Sequence, residues 1–153
     1  MAENLLWLAQ KRFPNRKMIV WAASFHVMRN PSEIEVPGSR ISYKSTIPMG
    51  QHVHDALGDK VFTVGFTALK GKAGPWMRQP FEIETAPTGT LEDIFARANI
   101  ENGWLSLNAD DQAADGLAQK VYSRPLGYVW MKAFWGRHFD AMVFNRAMEP
   151  SRR

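Results

Sequence analysis

Residues 17–30 read KMIVWAASFHVMRN, and the fold turns on how that stretch is understood. Met18, Ile19, Val20, Trp21, Ala22 and Ala23 run without a charge. An apolar run of that length, rich in β-branched and aromatic residues, suits a strand covered on both faces. A polar cluster follows: Ser24, His26, Arg29 and Asn30. In open α/β sheets, ligands bind just past the carboxyl ends of such strands. His26 stands three residues past the run, where chemistry is usually placed. By position alone it reads more readily as a hydrogen-bonded histidine at a strand end with no catalytic role, because fold position is only associational evidence.

Upstream, Leu5, Leu8, Ala9 and Phe13 fall on one face of a 3.6-residue period, predicting a helix over 2–13. Pro14 ends it, because the residue before proline is pushed out of the helical region. A helix followed after so short a turn by a buried strand is an α/β signature. Downstream, Pro31, Pro37, Gly38 and Pro48 mark a long loop over 31–48, of the kind that often lines a site. A second helix is expected from about Gly50, closed by Gly58, and then a buried strand over 61–68. Residues 70–79 read as a turn-rich loop, and 81–84 as a short strand near an edge. Thr90 opens a third helix, with Asp93 placed to reach back to its start. Strands are expected over 104–107 and 139–144, a short helix over 109–119, and an irregular aromatic stretch over 122–135. The sum is one α/β domain, a mostly parallel sheet flanked by helices.

Composition narrows the classes. At 153 residues the chain can bury one ordinary core. No apolar run approaches the ~18 residues of a membrane span, and the acidic start is unlike a secretory signal. Cysteine is absent, which removes disulfides and thiolate metal sites and suits a reducing, cytoplasmic setting. Nineteen Lys and Arg against fifteen Asp and Glu give a net charge of +4. That charge is scattered rather than gathered on one helix, which argues against a nucleic-acid partner.

Four blocks then carry a resemblance. They are Met1-Ala2-Glu3-Asn4 with the helix and Ile19-Val20-Trp21-Ala22, running into His26-Val27 and Arg29-Asn30; Met49-Gly50 with Leu57-Gly58-Asp59; Val64-Gly65-Phe66-Thr67; and Phe139-Asp140-Ala141-Met142-Val143-Phe144. In this order and spacing the chain resembles the C-terminal part of the erythromycin esterase family. The family has a W-A-H-N-x-H-V segment here, whose histidines line its active site. His26 matches the second of them; Ala23 and Ser24 stand where the first histidine and the asparagine would be.

The resemblance implies hydrolysis of an ester or macrolide lactone by histidine-activated water, and with it macrolide resistance. An imidazole suits that work because histidine titrates near neutral pH. It implies catalytic roles for His26 and Arg29, and a substrate pocket that includes Ser24, Met49 and Gly50. The family's Gly-Glu-x-His type acidic motif has no counterpart; Gly50-Gln51-His52 lacks the acid. The chain is therefore expected to be inactive alone and to need a missing N-terminal half or a second chain. A homodimer is a further expectation, since an unpaired sheet edge invites association. No cofactor is implied. A divalent metal has no support, because His52 and His54 at i and i+2 of a helix point apart. The other reading is a non-catalytic module that binds a ligand or a protein with the same surface.

Overall fold

A computed structural model describes residues 1–74, 79–107 and 119–150. The helix expected over 109–119 falls, but for its last residue, outside them, as do Trp76, Arg152 and Arg153. The chain forms a mixed α/β domain around a four-stranded sheet, in the order β2-β1-β6-β3. β1 is Val64–Ala73, β2 Phe81–Ile83, β3 Asn102–Ser106 and β6 Ala141–Met148. β1 and β6 pair in parallel, while β2 and β3 join them antiparallel. The expectation of a mostly parallel sheet is thus corrected: only the central pairing is parallel. A small antiparallel ribbon, β4 (Val121–Ser123) with β5 (Met131–Ala133), lies within the stretch expected to be irregular.

Alternation along the strands gives the sheet two unlike faces. Thr67, Leu69, Met142 and Phe144 turn to one side, where α4 (Leu91–Arg97) and the ribbon cover them. Phe95 of α4 stacks on Phe144 with ring centroids 4.7 Å apart, and Phe139 and Trp135 complete the core. Gly103 is needed beneath Phe95, since a Cβ there would stand 2.9 Å from the ring. The opposite face carries Phe66, Val143 and Trp104 in register across β1, β6 and β3. Phe66 and Trp104 remain 40% and 58% exposed.

α4 starts as the sequence predicts. The Thr90 hydroxyl accepts from the Asp93 amide, and Asp93 accepts in turn from the Gly89 amide. The fully buried Glu92 joins three elements: Thr67 Oγ1 and Ser123 Oγ donate to its Oε1 at 2.5 and 2.6 Å, and the Arg124 amide adds a third bond. The Arg124 guanidinium then donates to the Ala68 and Leu69 carbonyls, filling an edge of β1 that β2 does not reach.

The N-terminal region departs most from expectation. Residues 2–12 are helical, as α1 (Ala2–Trp7) and a wider π turn over Leu8–Arg12, but no residue of either is buried. Residues 17–23 do not form a strand. Ile19 and Trp21 are 94% and 83% exposed, and among the described residues 17–22 make no backbone hydrogen bond. A strand exists by pairing, and no described segment runs beside this one to pair with it.

Candidate functional site

The site is a corner where two helices meet. Ala23 is extended, and the chain turns at once into α2 (Ser24–Val27), one helical turn carrying Ser24 and His26. These residues therefore follow a short helix start rather than the tip of an interior strand. α3 (Met49–Leu57) packs against α2 as closely as backbone permits. A Cβ on Gly50 would lie 1.8 Å from the Val27 carbonyl oxygen, so only glycine fits. Gly50 is buried and sets this approach; it does not line the opening beside it.

That opening is a groove of about 630 Å³ between α1, α2 and the start of α3. Glu3, Phe25, His26, Ile47, Met49 and His52 face it. Phe25 holds Tyr43 at 5.2 Å and presents its edge to the His26 ring at 6.0 Å. His26 is exposed; its backbone amide donates to the Ala23 carbonyl, and its ring nitrogens make no hydrogen bond among the described residues. Sequence reasoning placed His26 and Met49 in one pocket, and both border this groove. It missed Glu3, which α1 brings to the groove.

Arg29 behaves differently. Its side chain is 8% exposed and turns away from the groove, with Nη1 3.0 Å from Asp140 Oδ1 and 3.4 Å from His54 Nδ1. Asp140 Oδ2 accepts from the Thr63 amide at 2.6 Å. The Arg29 amide donates to the His138 carbonyl, and His138 Nδ1 donates back to the Arg29 carbonyl at 2.9 Å. Burial holds the His138 imidazole below the usual histidine range, against the bond to that carbonyl. Asn30, in the left-handed region at φ 49°, donates its backbone amide to Gln51 Oε1 and its Nδ2 to the Arg137 carbonyl. The stretch just after α2 is thus clamped to α3 and to the start of β6.

His52 and His54 serve separate places, as their helical spacing predicts: one borders the groove and the other meets Arg29. No group of three or more His, Asp or Glu converges as a metal site among the described residues. Trp135 is core: it is 1% exposed, and its Nε1 donates to the Val121 carbonyl.

The sequence model described as erythromycin esterase matches residues 1–148. This chain belongs to the erythromycin esterase family. An erythromycin esterase type II from Escherichia coli is 30% identical over 152 residues, covering 93% of this chain and 34% of that protein. The chain therefore spans about a third of that relative's length. Solved structures share the fold. A Bacillus cereus protein superposes with a TM-score of 0.70 at 16% identity, over 95% of this chain and 36% of its own. A succinoglycan biosynthesis protein gives 0.69 at 17%, covering 95% and 36%. A mutant erythromycin esterase in its open conformation gives 0.64 at 15%, covering 95% and 35%. Within this erythromycin esterase fold, His26 lies in the groove between α1, α2 and α3. No helix among the described residues is long and apolar enough to cross a membrane.

Proposed function

We propose that the chain supplies the histidine side of a site that hydrolyses a small-molecule ester or macrolide-like lactone. The observation that carries this reading is the groove in which the family-matched His26 stands beside His52, between the apolar walls of Phe25, Ile47 and Met49. In ester hydrolysis water adds to the carbonyl carbon, a base takes the water's proton, and the alkoxide leaves with a proton from an acid. The exposed His26 ring can orient the water or donate to the carbonyl oxygen as negative charge develops there. The apolar walls suit a large ester with little charge. Glu3 faces the same space, but the acidic motif of the family has no match in this chain, so a complementing polypeptide would provide the strong base. Arg29, bound to Asp140, holds the backbone after α2 rather than touching substrate.

The test is hydrolysis of a chromogenic ester and a macrolide lactone, with the chain alone and with the unmatched part of the E. coli relative added. The reading expects turnover only in the mixture, lost by at least a hundredfold in His26→Ala. Turnover by the isolated chain that disappears in His26→Ala would overturn the half-site view. The lack of any carboxylate bonded to His26 favours a second reading, a non-catalytic binding module. Saturable macrolide binding with no hydrolysis in the mixture would support it.

A further inference from the structure

Two features of the fold are incomplete in the same place. One face of the sheet is covered by α4 and the ribbon, yet on the face bearing Phe66, Val143 and Trp104 the two aromatic rings stay open to solvent. Beside it, residues 18–23 have the composition of an interior strand and none of its pairing. The two features are continuous: the Trp21 and Phe66 rings lie 5.5 Å apart. Phe62, 57% exposed, stacks on Trp104 at 6.1 Å and extends the apolar surface further. A contiguous exposed apolar patch of this kind marks an interaction surface.

We infer that residues 17–23 and the open face of the β1-β6-β3 sheet form one docking surface for the remaining two thirds of an erythromycin esterase family chain. That polypeptide adds a strand to residues 18–23 and lays an apolar layer over Phe66, Val143 and Trp104. Two observations choose the occupant. The relatives that share this fold extend well beyond it, and this chain covers only 34–36% of them. The polypeptide outside the match is thus large enough to contribute both a strand and a layer. The surface is also one-sided in charge: Lys11, Arg12, Arg16 and Lys17 flank the apolar run with no acid among residues 11–17, and all four are exposed. A second copy would bring the same cations; a partner with acidic side chains at its docking edge is complementary. Backbone pairing supplies affinity in such strand additions, and side-chain pockets supply specificity. The inference shares the complementing polypeptide with the proposed function but does not depend on ester hydrolysis.

The experiment mixes the full 153-residue chain with the unmatched region of the E. coli relative, produced separately. Calorimetry and sedimentation follow the complex, and hydrogen exchange maps it. A one-to-one complex is expected, with exchange at residues 17–22 slowed at least tenfold. Ile19→Asp and Trp104→Asp should each weaken it at least tenfold. Both side chains are solvent-exposed, so these variants keep the fold, which circular dichroism checks. His26→Ala should bind like the parent chain while abolishing any hydrolysis. A complex without hydrolysis leaves the interface standing and removes the proposed chemistry. No complex, a complex indifferent to both Asp variants, or protection of 17–22 by self-association of the chain alone would each overturn the interface.

Discussion

The two faces of the central sheet are built from the same three strands and share almost nothing else. On one, Phe144 stacks on Phe95 and Phe139 covers Gly65, and Leu69, Met142 and Phe144 are closed off from water. On the other, Phe66 and Trp104 sit in register across Val143 and remain wet. Strand alternation fixes which residues go to which side, but it does not decide whether a side is covered. Covering depends on what packs there, and α4 with the β4–β5 ribbon packs on one side only. The domain is therefore stabilised from one face, while the other holds apolar area in reserve.

That asymmetry can be tested by substitution. Phe144→Ala should cost about 3–5 kcal/mol, since it deletes a large buried ring and leaves a cavity against Phe95; urea unfolding measures it. Asp140→Ala should cost about 3 kcal/mol, because Arg29 would be left buried without its partner and the Thr63 amide would lose its acceptor. The same variant should loosen residues 24–30, visible as faster amide exchange there. A milder effect is expected from pH. His138 is held neutral in the fold with its affinity for protons lowered, while the unfolded chain binds a proton near the ordinary value of 6.5. The unfolded state then takes up more protons as pH drops below 6.5, and stability falls through that window towards the lowered folded value. Urea midpoints measured from pH 7 to pH 5 should decline in the parent and decline less in His138→Asn. Smallest of all, Trp104→Ala should change stability by only about 0.5 kcal/mol in the isolated chain. A loss like that of Phe144→Ala would mean the open face is covered after all.

Local signals in the sequence located the elements that stabilise themselves. Gly58 closes α3 at φ 54°, and the Thr90–Asp93 pair opens α4, both as their spacing predicts. The apolar runs became β1 and β6, each starting two or three residues later than expected and running on past its expected end, β1 into residues 70–73 expected as loop, because the parallel ladder between them continues to Gly71 and Met148. The β4–β5 ribbon was not legible, since three-residue strands carry too little alternation to register. Residues 18–23 misled for a different reason. Their composition specifies an interior strand, but pairing is a property of neighbours, and the chain brings none alongside. At the site, His26 and Met49 could be placed from the family motif. The partners of Arg29 could not: Asp140 lies 111 residues away and His54 25, and no local pattern links them. Gly50 was marked for the pocket, yet its work is to let α3 reach the Val27 carbonyl.

Glu92 has a consequence for how the molecule comes apart. A two-stranded ribbon of three-residue strands has no business surviving in water by itself. Here a single carboxylate oxygen receives a hydroxyl from the main sheet, a hydroxyl from the ribbon and an amide from the turn beyond it. Detaching the ribbon would leave that buried carboxyl oxygen without two of its three hydrogen bonds. Peeling is thereby made costlier than staying joined, and sheet, helix and ribbon should melt together in a single transition.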